Sequence, residues 1–106
     1  MTNWVSCATI DECPPGASLE RAIDGRIVAV FNVNGELYAL DGICPHQGGP
    51  LGQGQLHGQV VTCPWHGWQF DVTTGVSETA ARVCQPYLPV RVEDGQILVG
   101  LDSHDS

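Results

Sequence analysis

The chain reads as short apolar runs cut by turn dipeptides. Asp24-Gly25, Asn34-Gly35 and Asp94-Gly95 each sit between apolar, β-rich segments. These pairs tolerate the positive φ angles that tight hairpin turns require. Arg26 to Val33 carries Ile27, Val28, Val30, Phe31 and Val33, and Glu36 to Leu40 can return antiparallel after Asn34-Gly35. Leu88, Val90 and Val92 alternate with Pro89, Arg91 and Glu93. That period of two places one apolar face on a core, and Gln96 to Leu101 can pair back across Asp94-Gly95. No long helical period is present; residues 76–83 have room for one helical turn or none. The expected class is all-β, an antiparallel sandwich or small barrel.

Between Asp41 and Phe70 the character changes. This stretch holds seven of the thirteen glycines, three of the seven prolines and three of the four histidines. Such a composition is poor sheet material. It predicts a small loop-built unit over about residues 42–70, inserted in a β base, where function tends to sit. No repeat, low-complexity tract or linker divides the chain, so residues 1–106 are expected to form one domain. A domain of this size buries only about two-thirds of its unfolded surface, and a metal centre would add stability.

Composition narrows the partners. Hydrophobic residues make up 42% and charged residues 15%, which fits a compact globular protein. The net charge of −8 repels nucleic acid and anionic lipid, so neither is expected as a partner. Acidity can steer docking onto a basic protein patch, or simply maintain solubility. No apolar run approaches the ~20 residues of a membrane span, and Met1-Thr2-Asn3-Trp4 lacks the basic start of a secretory signal. The expected address is the cytoplasm. The five cysteines, Cys7, Cys13, Cys44, Cys63 and Cys84, are odd in number and unevenly spaced, which argues against a disulfide framework.

Two motifs carry chemistry: Cys44-Pro45-His46 and Cys63-Pro64-Trp65-His66, with sixteen residues between His46 and Cys63. Each offers one thiolate and one imidazole from a tight loop, and two such loops can clasp a metal. Three readings compete. The first is buried cysteines beside incidental histidines. The second is a structural zinc site, although zinc knuckles usually space their ligands more widely than Cys44-x-His46. The third is a 2Fe–2S cluster in which two histidines replace two cysteines on one iron.

CPHQGG at 44–49 and CPWHGWQFD at 63–71 resemble the two cluster-binding loops of Rieske proteins. Gln85-Pro86-Tyr87-Leu88-Pro89 sits where that family has a third, proline-containing loop. Nearly the whole chain is similar to a stand-alone Rieske-type ferredoxin. The resemblance implies that Cys44 and Cys63 bind one iron, that His46 and His66 bind the other, and that the histidines lie at an exposed tip. With neutral histidines, two ferric ions, two sulfides and two thiolates sum to zero charge, so an electron enters more easily than in a four-cysteine cluster. Rieske potentials span roughly −150 to +300 mV. High-potential members carry a further cysteine in each loop, joined by a disulfide; here those places hold Gly49 and Trp65. Where that branch has serine and tyrosine donors to sulfur, this chain has Trp68 and Phe70. Phe70 cannot donate, and lost donors destabilise the more negative reduced state. A potential below zero is expected.

Other residues have supporting roles. Gly48, Gly49 and Gly67 permit close backbone approach, and Pro45 and Pro64 stiffen the loops. Trp65 and Trp68 either shield the centre or, for Trp68, pack in the core. Cys84 is read as a packed thiol, His57 and His104 as surface residues. There is no dinucleotide fingerprint for a reductase. There is also no second set of two histidines and a carboxylate for a mononuclear iron. The resemblance therefore implies a one-electron carrier and not an enzyme. It would be a monomeric ferredoxin component of a bacterial aromatic-ring oxygenase system, passing electrons from a flavin-dependent NAD(P)H reductase to a terminal oxygenase. The alternatives are a small Rieske-like subunit of a larger enzyme such as nitrite reductase, or a zinc-binding interaction module.

Overall fold

The computed structural model describes residues 2–23, 25–42, 51–64, 67–77 and 87–102. Ten strands lie among them: β1 (Thr2–Thr9), β2 (Ser18–Ile23), β3 (Arg26–Val33), β4 (Glu36–Asp41), β5 (Gln55–His57), β6 (Val60–Thr62), β7 (Gln69–Asp71), β8 (Tyr87–Leu88), β9 (Val90–Glu93) and β10 (Gln96–Asp102). They form three sheets, ordered β1-β10-β9, β2-β3-β4-β8 and β5-β6-β7, and every pairing is antiparallel. The all-β expectation is met. Short 3₁₀ turns occupy Ile10–Glu12 and Leu51–Gln53.

β3 explains the layering. Successive side chains on a strand point to opposite faces. Val28 and Val30 enter one core with Leu19, Ala39, Ile97 and Val99, while Ala29 and Phe31 enter a second with Leu40, Leu51, Val61 and Phe70. The four-stranded sheet is therefore covered on both faces, which is why Ile27 to Phe31 of β3 is an unbroken apolar run where a half-exposed strand would alternate. The first core is shared with the β1-β10-β9 sheet, and together they make a base. The second core is shared with the β5-β6-β7 sheet.

The hairpins follow their turn residues. Asn34 and Gly35 have φ of 52° and 97°, and Asp94 and Gly95 have 52° and 76°. Positive φ at both central positions is the condition of a type I′ turn. Ile23 pairs with Arg26 around the third expected turn, whose Asp24 lies outside the described residues. Buried Asn32 donates from Nδ2 to Cys13 O at 2.8 Å, and its Oδ1 accepts from the Gly35 amide at 2.7 Å. Its amide thereby ties the Asn34-Gly35 hairpin to the chain after the first 3₁₀ turn.

Two features differ from the sequence reading. The stretch 87–93 is not one strand. Tyr87–Leu88 pairs with β4, and Val90–Glu93 pairs with β10. The break falls at Pro89, which has no N–H to give a ladder and whose carbonyl accepts from the Gly100 amide at 2.9 Å. Leu88 is accordingly buried, whereas Val92, on an edge strand, is 47% exposed. The region after Leu51 also carries more sheet than its composition predicts. β5, β6 and β7 are three residues each and turn their apolar members, Leu56, Val61 and Phe70, onto the second core. Of the 76–83 stretch, Val76 and Ser77 are extended, with Ser77 bridging to Phe70; 78–83 lie outside the described residues.

Candidate metal centre

Of the four predicted ligands, Cys63 is among the described residues; Cys44, His46 and His66 lie outside them, as do Pro45, Gly48, Gly49, Trp65, Cys84, Gln85, Pro86 and His104. Cys63 immediately follows β6 and is 1% exposed. Its amide donates to the Trp68 carbonyl at 2.7 Å, which sets Trp68 beside Cys63 where the chain enters β7. Gly67, at φ +73° with open space around its α-carbon, supplies a left-handed residue just before Trp68.

The loop is held from below. Gln69 Nε2 donates to Thr62 Oγ1 at 3.2 Å, across a register that pairs Thr62 with Gln69 and Val61 with Phe70. Gly54 lies so close to β6 that a Cβ there would stand 2.2 Å from the Thr62 carbonyl oxygen. Ser18 Oγ donates to the Gly54 carbonyl at 2.9 Å and fastens the unit to β2. At the far end of β7, Asp71 accepts from Thr73 Oγ1 at 2.6 Å, from Gln59 Nε2 at 2.7 Å and from the Thr73 amide at 2.9 Å. Burial raises the Asp71 carboxyl, but these hydrogen bonds outweigh it and hold the group below the usual carboxylate range.

A cleft of about 480 Å³ is lined, among the described residues, by Gln53, Gly54, Gln55, Thr62, Cys63, Pro64 and Gly67. A buried cysteine in the lining of an open cleft, next to a proline and four residues before a glycine of positive φ, suits a soft metal ligand. A donor set of two thiolates and two imidazoles fits a 2Fe–2S cluster and also fits zinc. Trp68 is half-buried and packs on the second core, with its ring centroid 6.4 Å from that of Phe70. Phe70 is fully buried among apolar side chains.

The remaining described thiols belong to the base. Cys13 Sγ is 3.6 Å from the Ala17 carbonyl oxygen, and burial pushes both Cys7 and Cys13 above the ordinary thiol value. Buried thiols so protonated are poor nucleophiles. His57 is exposed on β5, as expected. Sequence reasoning missed Ser18, Glu20, Thr62 and Asp71. Alternation along β2 would have placed Ser18 and Glu20 on the face opposite Leu19; nothing in the sequence says what covers that face.

The Rieske [2Fe-2S] domain matches residues 3–99. The alkene monooxygenase system ferredoxin component of Xanthobacter autotrophicus is 42% identical over 93% of this chain and 82% of its own length. The biphenyl dioxygenase ferredoxin subunit of a Pseudomonas strain is 38% identical over 93% and 92%. A structure of the ferredoxin of carbazole 1,9a-dioxygenase from Nocardioides aromaticivorans superposes with a TM-score of 0.82 at 32% identity, over 92% and 96% of the chains. A Mycobacterium tuberculosis structure, provisionally described as an NADH-dependent nitrite reductase small subunit, superposes with a TM-score of 0.87 at 25% identity, over 98% and 99%.

Proposed function

This chain belongs to the Rieske [2Fe-2S] domain family, and from that premise we propose that Cys44, His46, Cys63 and His66 hold one 2Fe–2S cluster. The protein is an electron carrier of the ferredoxin-component kind and not a catalyst. The single observation that supports the ligand assignment is that Cys63 is buried and lines an open cleft, four residues before the positive-φ Gly67. A 2Fe–2S cluster bound there supplies uptake and release of one electron at a time. The chain's own part is to fix the sulfur, exclude water from it and set the local charge. Cys63 and Trp68 are joined by a backbone hydrogen bond and backed by Phe70, so little reorganisation accompanies the added charge.

The reading extends to a potential below zero. Phe70 offers no donor to sulfur, and the carboxylates outnumber the cations. It also extends to partners: a flavin-dependent NAD(P)H reductase on one side and a terminal oxygenase on the other, met in weak, short-lived contacts as redox encounters usually are. The named relatives serve a biphenyl dioxygenase and an alkene monooxygenase, so electron delivery, and not one substrate, is what they share. We read the unit around Cys63 as a cluster-binding part within one domain, and the carrier as monomeric and cytoplasmic. Among the described residues no helix is long and apolar enough to cross a membrane.

A second reading is favoured by the likeness to the nitrite reductase small subunit: a relay fixed inside a larger enzyme. A complex that survives purification is the outcome specific to it. For the cluster, the test is an EPR spectrum after anaerobic dithionite reduction. A rhombic signal with an average g lowered by histidine ligation is expected. No signal, with stoichiometric zinc, would overturn the assignment.

A further inference from the structure

We infer that the base carries a docking groove of its own, on the side of the central sheet away from Cys63. Its occupant is a protein segment that presents apolar side chains flanked by lysine or arginine. The inference goes beyond the carrier reading and does not depend on which metal Cys63 binds.

The groove follows from the sheet switch at Pro89. β8 pairs with β4 at Ala39 and Leu40, and the chain then crosses to join β10 as β9. Leu37 of β4 and Val92 of β9 line a cleft of about 460 Å³, with Ile10, Pro14 and Pro15 from the segment after β1. Leu37 packs against the base core, and Val92 stands opposite Ile97 of that core. Yet Val92 is 47% exposed and Ile10 44%. Exposed apolar side chains gathered in a cleft and rimmed by charge mark an interaction site, whereas the same residues scattered singly do not. The walls are fixed in advance. The Ile10 amide donates to the Gly95 carbonyl at 3.0 Å, and the Ile10 carbonyl accepts from the Cys13 amide at 3.2 Å. The two prolines that follow Cys13 are stiff by their rings. Little ordering therefore opposes binding. Among the described residues, none lines both this cleft and the one at Cys63.

The charges select the occupant. Asp11 lines the cleft, and exposed Glu12, Glu36, Glu93 and Asp94 lie within two residues of its lining along the chain. The arginines nearby are engaged. Arg21 pairs with Glu12, while Arg91 pairs with Glu93 and lies over the Trp4 ring, 4.8 Å from its centroid. The chain has no lysine. Carboxylates that outnumber paired arginines in this way draw a cationic partner. A second copy of this chain, with its own net charge of −8, is repelled. The apolar walls accept the partner's apolar side chains, and the carboxylates at the rim orient its cations.

The test is selection from a displayed library of random 12-residue peptides on the intact, metal-loaded protein. Affinities of the selected peptides are then compared between wild type and variants. The peptides are expected to combine apolar residues with lysine or arginine. Val92→Gln and Ile10→Ser should each weaken them about tenfold. Asp11→Asn should weaken them about threefold, as expected of an exposed ion pair. Val76→Gln changes a side chain that is 45% exposed in the other layer, and affinity should stay within about twofold. Amide shifts on adding the tightest peptide should centre on Ile10, Leu37 and Val92. No enrichment over an uncoated surface overturns the inference. So do selected peptides that lack cations, and peptides that bind Val92→Gln and Ile10→Ser as tightly as wild type. If both variants unfold earlier in urea, the shift map decides, and shifts centred anywhere else overturn the groove. A dimer in sedimentation that Val92→Gln abolishes assigns the groove to a second copy and overturns the inference as well.

Discussion

The two layers on either side of the central sheet are built by different means. In the base, β1 and β10 pair at seven register positions, and β3 pairs with β2 and with β4 at six each. Long ladders, with apolar side chains on each covered face, are enough to specify the packing. In the Cys63 unit, β5 to β7 have three residues apiece and pair three deep, too short to be stable alone. Beyond the second core that Val61 and Phe70 enter, this layer is held by a set of single contacts: Ser18 to Gly54, Gln69 to Thr62, the Cys63 amide to the Trp68 carbonyl, and the bonds gathered on Asp71. The base is redundant and the unit is not. A metal centre held there would contribute to the folding of the unit as well as to its chemistry.

The largest break in this comparison is Cys63→Ser. A serine hydroxyl is a poor substitute for thiolate at iron. Loss of iron and sulfide is expected, and with it loss of electron transfer. Hydrogen exchange should then separate the layers. Amides of β5, β6 and β7 lose protection, while those of β3 and β10 keep theirs. Equal loss across both layers would show that the base is not independent of the centre.

Next in size are two buried residues, one in each core. Phe70 and Ile97 are both fully buried. Phe70→Ala is expected to cost about 3–5 kcal/mol and Ile97→Ala about 2–5 kcal/mol. The comparison lies in where each cost appears. Ile97 sits between β1 and β9, so its loss should lower the global urea midpoint with iron retained until the transition. Phe70 backs the Cys63 loop, so its loss should release iron at urea concentrations where β3 and β10 are still protected. Iron loss and global unfolding that coincide in both variants would merge the two layers into one cooperative unit.

The same division separates what was legible in the sequence from what was not. The hairpins around Asn34-Gly35 and Asp94-Gly95 could be read because a turn dipeptide and its flanking alternation are local. Cys63 could be singled out because its neighbours on the chain are the loop itself. The sheet switch at Pro89 could not, because which neighbour each half of 87–93 joins is decided by β4 and β10, far away in sequence. β5 to β7 were obscured by glycines whose role is tertiary. Gly54 matters for its closeness to Thr62, and Gly52 for its closeness to Glu20. Buried Asn32 reads as a polar interruption of an apolar strand until Cys13 and Gly35 are placed beside it.

The smallest effect sets two carboxylates against each other, one from each layer. Asp71 in the unit and Glu12 in the base both have pKa values held below the ordinary carboxylate range. For Asp71 the cause is hydrogen bonds from Thr73 and Gln59 that overcome burial. For Glu12 it is chiefly the Thr9 amide at 2.9 Å, aided by Arg21. A folded-state value below the unfolded one gives stability that is present above the unfolded value of about 3.9 to 4.3, and that is lost as pH falls through the folded value. Both layers should therefore weaken in acid. Glu12 is exposed, so its share is screened and should fade in high salt. Asp71 ties the turn after β7 to Gln59 at the β5–β6 turn, and replacing it with alanine should cost about 1 kcal/mol at neutral pH. Urea midpoints between pH 7 and 3, with and without salt, distinguish the two. Asp71→Ala should flatten the acid limb in both conditions, while Glu12→Gln should flatten it in low salt alone. A salt-sensitive Asp71 effect would mean that its bonds act through net charge and not through the geometry of the turn, and the unit would then owe its shape to the metal more than to its own hydrogen bonds.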